Sequence, residues 1–432
     1  MVLGFIAVAG ASLTASVLMI QVAVLPLMVK YSKTVKRRIV FSNCFNYPRN
    51  LDYDNPSSCN IIGGRNCNIQ FFSKVDKCEI KIGVWHIVPC SMFREVFFIR
   101  DYVTVDDRLH ERLKKTKNTI VIYCHGNSNH RASPHRLEMY KVFQMLNMHV
   151  ITFDYRGYGD STQVKPSEKG VVEDALAVYT WLIDSLESET KPMILVWGHS
   201  LGTAIAAHMT AHMEQLCLEQ GRLPLPRPDA LILEAPFNNL ADEISNHPFS
   251  KLISWLPYYN DTCVKPFYSS ADYAFNTDKY LCLCPEVPIL ILHAKGDRVV
   301  PFSLAVKLYD SIVMSRNKCK GTGAPIVFHA FERGQGLGHN NLCEAPALQT
   351  LVEDFVNMIK GRRSIATSPC DEIVATGDFF PKRNYHSMMK EYSFEECRNG
   401  DFLPDKIKTL DDSPSREFLM EIFKDKELTY TK

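Results

Sequence analysis

The strongest chemical signal in the sequence is a serine between two glycines, directly after an apolar run. Residues 193–197 (MILVW) lead into the pentapeptide Gly-His-Ser-Leu-Gly at 198–202, and an alanine-rich stretch follows. The order strand, sharp turn, helix is the context of a nucleophile elbow, in which both glycines relieve crowding. We therefore predict that Ser200 is a nucleophile at a helix N-terminus. The alternative, a glycine-rich turn with an uninvolved serine, is disfavoured by the flanking patterns.

Two carboxylates follow buried-strand patterns and compete for the role of catalytic acid. The apolar run 287–292 continues through His293 into Ala-Lys-Gly-Asp, which puts Asp297 in a turn; Glu234 directly follows a second apolar run. Both would lie at the carboxyl edge of a parallel sheet, where ligands bind. We prefer Asp297, because its turn contains a glycine and is closer in sequence to the candidate histidine. A turn aspartate that only caps the following helix remains an alternative.

A glycine-rich loop carries the candidate general base. The strand pattern 324–331 is followed by Glu-Arg-Gly-Gln-Gly-Leu-Gly, and His339 comes next. A histidine on such a loop can swing over the serine, so we predict that His339 is the base. Two other histidines, His293 and His329, lie inside strand patterns and are expected to be packed or at a strand edge.

An oxyanion needs two main-chain N–H donors, one of them from the residue after the nucleophile. That residue is Leu201. The second donor should come from the loop after an earlier strand, and the strand pattern 119–124 runs into His125-Gly126-Asn127. We predict that Asn127 supplies it.

These motifs resemble the serine α/β-hydrolases, in which the triad follows the chain order serine, acid, histidine. Longer segments are similar to the α/β-hydrolase domain-containing protein 12 family; they are residues 83–89, 197–203, 230–237, 247–250 and 299–302. The resemblance covers about residues 79 to 360. It implies an α/β-hydrolase fold, with a mostly parallel central sheet flanked by helices. It also implies Ser200 as nucleophile, Asp297 as acid and His339 as base.

The family resemblance further implies a membrane-bound lipase for lysophosphatidylserine and monoacylglycerol, so we expect a lipid ester as substrate and no cofactor. The Cys282-x-Cys284 pair is too tight for a zinc site, and we expect no metal. With a net charge of +1 there is no electrostatic case for nucleic acid binding. The same triad also serves peptidases and thioesterases, and a non-catalytic binding protein could share the fold. The sequence does not indicate the oligomeric state.

The N-terminus is long and apolar enough to cross a membrane. Residues 2–29 contain no charged side chain, and a helix needs only about 20 residues to span a bilayer. A secretory signal peptide would have a basic first segment and a shorter apolar core. We therefore predict a retained, single-pass transmembrane anchor.

The membrane topology receives conflicting signals. Basic residues from Lys30 to Arg38 follow the span, and the positive-inside rule would put the following domain in the cytosol. The sequon Asn260-Asp261-Thr262 has meaning only in the lumen, where Asn260 would be glycosylated. The family resemblance implies an endoplasmic reticulum protein with a lumenal domain, and this is the topology that we expect.

The chain therefore divides into four expected regions. They are the anchor at 2–29, an irregular linker region at 30–78, the hydrolase domain at 79–362 and a C-terminal tail at 363–432. Within the domain, residues 238–287 separate two core strands and form a lid-like insert that is rich in aromatic residues. An insert at this point lies above Ser200. Its aromatic side chains either hold an acyl chain or only pack the insert onto the sheet.

Overall fold

The computed structural model describes residues 15–97, 104–268, 270, 272–318 and 323–367. Residues 2–14 of the expected anchor and residues 368–432 of the expected tail lie outside the described residues. The chain separates into two compact units, residues 1–361 and 362–432.

Eight strands form one sheet in the order β1-β2-β4-β3-β5-β6-β7-β8. Strand β2 pairs antiparallel with both of its neighbours, and all other pairings are parallel. The mostly parallel sheet expected from the sequence is thus confirmed. The strands are β1 (Gly64–Phe72), β2 (Glu79–Ile87), β3 (Ile120–Cys124), β4 (His149–Phe153), β5 (Ile194–His199), β6 (Ala230–Glu234), β7 (Ile289–Ala294) and β8 (Ile326–Phe331).

Helices cover both faces of the sheet. Successive residues of β3 alternate between the two hydrophobic cores: Ile120 and Ile122 face one, and Val121 and Tyr123 face the other. Because both faces are buried, strands β3 to β7 are buried throughout and read as continuous apolar runs. This is why the core strands were recognisable in the sequence.

The helices are numbered in chain order. They are α1 (Ala15–Tyr31), α2 (Lys33–Val40), α3 (Phe93–Phe97), α4 (Val105–Lys114), α5 (Pro134–Met145), α6 (Glu168–Ser185), α7 (Leu201–Ala211), α8 (Met213–Glu219), α9 (Leu240–Asn246), α10 (Lys265–Tyr268), α11 (Thr277–Cys282), α12 (Phe302–Lys318) and α13 (Leu348–Thr367). Helix α7 packs against α6 and α11 on one face of the sheet, and α5 and the first part of α13 cover the other.

The expectation of an irregular linker at residues 30–78 is wrong in two places. Residues 33–40 form helix α2, and residues 64–72 form the edge strand β1, which pairs with β2 along its whole length. The sequence does not indicate strand β1, because only Ile69 is buried in it and its apolar and polar residues do not alternate regularly.

Helices α1 and α2 meet at a bend of 92°. Ser32 causes the break: its backbone is extended, and its hydroxyl accepts a hydrogen bond from the N–H of Val35 as the N-cap of α2. In the described part of the chain, no single helix combines the length and hydropathy of a membrane span, although the bent pair α1–α2 does so jointly.

The insert between β6 and β7 is built from short helical pieces. In chain order they are α9, a 3₁₀ turn at Pro248–Leu252, a π-helical turn at Asn260–Val264, α10 and α11. Some aromatic residues of the insert take the two expected roles, whereas Trp255, Tyr258 and Tyr268 are exposed. Phe267, Tyr273 and Phe275 are buried in the packing of the insert, whereas Phe249 and Tyr259 line a cavity above Ser200.

Candidate active site

Ser200 sits in a strained turn between β5 and α7. Its φ of 53° and ψ of −118° lie outside the regions that side-chain-bearing residues normally adopt. The turn is fixed by a hydrogen bond of 2.9 Å from the Ser200 N–H to the carbonyl of Glu234. A Cβ at Gly198 would collide with the backbone of Gly202, and one at Gly202 with the carbonyl of Cys124. Both glycines are therefore required by close backbone approach, as a nucleophile elbow demands.

The second element of the site is a paired aspartate and histidine. The Nδ1 atom of His339 lies 2.7 Å from Oδ2 of Asp297. Because an ionised carboxylate only accepts, the Nδ1–H of His339 must donate this hydrogen bond. That tautomer leaves Nε2 of the imidazole free to take up a proton, as a general base requires.

The carboxylate of Asp297 is held on its other side by the backbone. Its Oδ1 accepts hydrogen bonds from the N–H groups of Val299, at 2.8 Å, and Val300, at 3.0 Å. Burial alone would raise the pKa of Asp297, but the hydrogen bond and charge of His339, followed by the charge of His293, hold that pKa below its usual value. The carboxylate is therefore ionised and correctly oriented for His339.

Ser200 and His339 lie in the same part of the site, and no hydrogen bond joins them. The ring of His339 lies 5.0 Å from that of His199, the residue before the serine, and the carbonyl of His339 lies 2.9 Å from Nε2 of His199. Among the described residues, no hydrogen bond partner of the Ser200 hydroxyl is found. Catalytic hydrogen bonds in free enzymes are often long and shorten when substrate binds.

The rival acid, Glu234, lies elsewhere. Its Oε2 accepts a hydrogen bond of 2.7 Å from the indole N–H of Trp197 in the core beneath the sheet edge. Burial raises the pKa of Glu234 to about 7, against the opposing effect of Trp197. This carboxyl is thus a buried group, and no hydrogen bond or ion pair joins it to His339 in the described structure.

The two histidines inside strand patterns, His293 and His329, differ in their surroundings. His293 is buried, its Nε2 lies 3.1 Å from the carbonyl of Val300 and 3.5 Å from Oδ2 of Asp297. Burial lowers the pKa of His293 to about 4, so it stands as a neutral support beside the acid. His329 is half-buried on the edge strand β8 and packs against Phe331.

The predicted oxyanion donors face the same cavity as the serine. Leu201 is the first residue of α7, so no carbonyl of a preceding helical turn accepts a hydrogen bond from its N–H. No hydrogen bond from the N–H of Asn127 to a described residue is found either. The loop adjoins the elbow so closely that a Cβ on Gly126 would lie 3.4 Å from the Cβ of Ser200.

Residues from the expected linker bind the loop at residues 125–129, which carries the candidate donor Asn127; we call it the oxyanion loop. The carbonyl of Asn127 accepts hydrogen bonds from the N–H of Ser42, at 2.9 Å, and from the hydroxyl of Tyr158, at 2.7 Å. The N–H of Asn129 bonds to the carbonyl of Phe45 at 3.1 Å. These hydrogen bonds fix the orientation of the peptide between Asn127 and Ser128, directly after the candidate N–H donor.

A cavity of about 400 Å³ opens above Ser200. Its walls are mostly apolar and come from three parts of the chain: the N-terminal helices, the elbow with the oxyanion loop, and the insert. Leu25, Val29 and Val40 form the N-terminal contribution. A space of this size and character suits an acyl chain.

Two titratable side chains of the insert also line the cavity. Burial, followed by the charge of Asp297, raises the pKa of Glu243 to about 8. Burial, followed by the charge of His339, lowers the pKa of His247. Neither residue was singled out from the sequence as a site residue, because only the folded insert brings it to the cavity.

No group of three or more histidine, cysteine, aspartate or glutamate side chains within the described ranges could hold a metal ion.

Comparison with known proteins agrees with this geometry. Residues 119–219 match the family model of the alpha/beta hydrolase fold. The lysophosphatidylserine lipase ABHD12 of Danio rerio is 35% identical over 332 residues, covering 77% of this chain and 80% of that protein. ABHD12 of Mus musculus is 33% identical and covers 78% of both chains. Protein ABHD12B of Homo sapiens is 33% identical, over 67% of this chain and 72% of its own.

Relatives of this identity over most of both chains share an ancestor with this protein, and the sheet order and elbow described above are those of the same fold. The resemblance inferred from the sequence motifs is confirmed. The chain is a serine ester hydrolase that belongs to the ABHD12 family of α/β-hydrolases.

Proposed function

We propose that this protein is a membrane-anchored lipase that cleaves carboxylic esters of lysophospholipids, such as lysophosphatidylserine, or of monoacylglycerols. The observation that carries the proposal is the strained Ser200 at the base of a largely apolar cavity, beside the hydrogen-bonded pair His339 and Asp297. The names of the relatives as lysophosphatidylserine lipases support the choice of substrate.

The mechanism follows from the positions of these groups. Ser200 Oγ attacks the ester carbonyl while His339 Nε2 accepts its proton and then passes it to the leaving alcohol. Asp297 stabilises the imidazolium that forms. The N–H groups of Leu201 and Asn127 stabilise the oxyanion. Water, deprotonated by His339, then releases the fatty acid from the acyl-enzyme.

The mostly apolar cavity favours a lipid over the other substrates of this triad. A peptidase binds its substrate through main-chain hydrogen bonds, whereas the walls of this cavity are mostly apolar. A non-catalytic binding role would not need the strained serine or the oriented imidazole.

We expect the purified protein to hydrolyse the lipid esters and to leave peptide substrates intact. The test compares five substrates with the same acyl group: lysophosphatidylserine, lysophosphatidylcholine, monoacylglycerol, an acyl-CoA thioester and an acylated dipeptide. The measurement is kcat/KM for each, with Ser200→Ala as the blank. Faster cleavage of the thioester or the dipeptide than of all three lipids would contradict the proposal.

The anchor is the second part of the proposal. Residues 2–29 form an uncharged stretch of 28 residues, and its described portion is helical from Ala15 onward. We propose that this stretch spans the membrane of the endoplasmic reticulum and that the catalytic domain is lumenal. Asn260 supports the lumenal side: it is exposed, and it belongs to the one Asn-x-Ser/Thr sequon without proline at x in the sequence.

For this topology we expect the protein to stay in the membrane pellet after carbonate extraction. In sealed microsomes, a protease should degrade the domain only when detergent is added. Endoglycosidase treatment should increase the gel mobility of the wild type, and Asn260→Gln should abolish that shift. Digestion without detergent, or a wild type without a glycan, would instead favour the cytosolic topology that Lys30 to Arg38 indicate.

A further inference from the structure

The protein carries an exposed apolar surface built from two distant parts of the chain. Helix α1 contributes Leu18 and Leu25, and the insert contributes Phe249, Leu252 and Trp255; we call these five residues the apolar face. Between 39% and 75% of each is exposed. Large side chains grouped in this way on a surface indicate an interaction site, since single exposed apolar residues are ordinary but clusters are not.

Hydrogen bonds join the two halves of the apolar face. The side chain of Gln21 donates to the carbonyl of Leu252 at 2.5 Å, and the hydroxyl of Tyr258 donates to the carbonyl of Val22 at 2.5 Å. The indole N–H of Trp255 donates to the same Leu252 carbonyl at 3.0 Å. The exposed side chains of the insert therefore lie at the level of residues 21–22 of α1.

The cavity above Ser200 opens at this face. Among its lining residues, Leu25 and Phe249 are also members of the apolar face, and Phe249 is 75% exposed. A long acyl chain that leaves the cavity by this side would pass over apolar side chains, not into water.

The length and charge of the N-terminal segment identify the partner. A helix crosses a bilayer in about 20 residues, so the 28 uncharged residues exceed the requirement by about eight. The insert meets α1 at Gln21 and Val22, within this uncharged stretch and before its end at Lys30. Lys30, Lys33 and Lys36 follow and end the uncharged stretch.

Contacts further along α1 indicate which part of the insert lies further from the membrane-spanning segment. The side chain of Lys265 pairs with Asp261, and the charge of Lys30 also contributes to the lowered pKa of Asp261. Lys30 lies eight residues beyond Val22, which is about 12 Å along a helix. Asn260, beside Asp261, is thus further from the span than Trp255 is, so a glycan there is compatible with a bilayer at the apolar face.

We propose that the apolar face lies in the surface of a lipid bilayer and that the lipid ester passes into the cavity directly from the leaflet, between helix α1 and the insert. The contact between the insert and the bilayer is inferred from the exposed side chains of the apolar face. The passage of substrate additionally rests on the proposed lipase function.

Tryptophan fluorescence tests the docking directly. Of the four tryptophans, Trp85 and Trp197 are fully buried, Trp181 is half-buried in the core, and only Trp255 is highly exposed. In proteoliposomes of the full chain, lipids brominated near the head group should quench the emission of the wild type. Trp255→Phe should lose that quenching, and the matched variant Trp181→Phe should keep it. Equal quenching of Trp255→Phe and the wild type would overturn the docking.

A kinetic comparison tests the passage of substrate. For Leu252→Ser/Trp255→Ser we expect kcat/KM on vesicle-borne lysophospholipid to fall at least about fivefold, because apolar area in the interface is lost. A short-chain ester below its micellar concentration should be hydrolysed at the wild-type rate. The control Leu218→Ser/Leu223→Ser changes two residues on and just after α8, of which 59% and 84% are exposed, and should affect neither substrate.

The outcomes separate the two proposals. An equal loss on both substrates would overturn passage from the leaflet, because the defect would lie in the site itself. Quenching of Trp255 in a protein that hydrolyses no lipid ester would leave the docking standing and refute the lipase function. Trp255 could instead be protected from quenching by brominated lipid, and dilution in detergent could abolish that protection. This result would show that the apolar face binds a second copy of the chain, and it would overturn the proposal.

Discussion

Replacing Ser200 with alanine is expected to reduce ester hydrolysis by about 10⁴-fold or more, because no other side chain can form the acyl-enzyme. The residual rate would come from the oxyanion donors and from substrate binding alone. The variant should also lose covalent labelling by a fluorophosphonate probe. The measurements are kcat/KM on a lysophospholipid and labelling of the purified protein.

Stability measurements distinguish a lost nucleophile from a lost fold. Ser200 has a φ of 53°, a conformation that costs alanine as much as serine but glycine very little. We expect Ser200→Ala to unfold at the wild-type temperature and Ser200→Gly to be more stable by about 1 kcal/mol, although both are inactive. The exposed Ser303→Ala serves as control and should retain activity and labelling. Wild-type turnover by folded Ser200→Ala would refute the assignment of the nucleophile.

The parts of the site that follow from local sequence could be predicted. The elbow needs two glycines at fixed spacing around Ser200, and both prove necessary because the adjoining backbones are in contact. The turn of Asp297 and the loop of His339 follow buried strands, and a parallel sheet brings such strand ends to one edge. The pairing of these two side chains at 2.7 Å was therefore accessible from chain order and strand pattern.

The features that escaped prediction depend on contacts between distant segments. Strand β1 is polar and half-exposed, and only its pairing with β2 makes it a strand. The contribution of Leu25 and Val29 to the cavity requires α1 to pack on an insert more than 200 residues away. Glu243 reaches the cavity through the same insert. No local pattern encodes such contacts, because periodicity reports which face of an element is buried and not against what.

Replacement of the acid, Asp297, is the second change for which we expect a large loss of activity. We expect Asp297→Asn to lower kcat/KM by about 10³–10⁴-fold. Asparagine can still accept the N–H groups of Val299 and Val300 through its oxygen, so the turn should persist. Its amide nitrogen would then donate to His339, whose Nδ1 must accept. The proton would move to Nε2, which could no longer take one from Ser200.

Glu234→Gln is the matched change and should retain activity. The glutamine oxygen can still accept the indole N–H of Trp197, and the Ser200 N–H bonds to the main chain of residue 234, which the substitution leaves intact.

A pH series of stability measurements on the wild type and Glu234→Gln adds a second readout. The carboxyl releases its proton near 4.5 in the unfolded chain and near 7 in the folded one. Wild-type stability should therefore decline as pH rises through this window, and the glutamine variant should lack that part of the decline. An inactive Glu234→Gln beside an active Asp297→Asn would reverse the assignment of the acid.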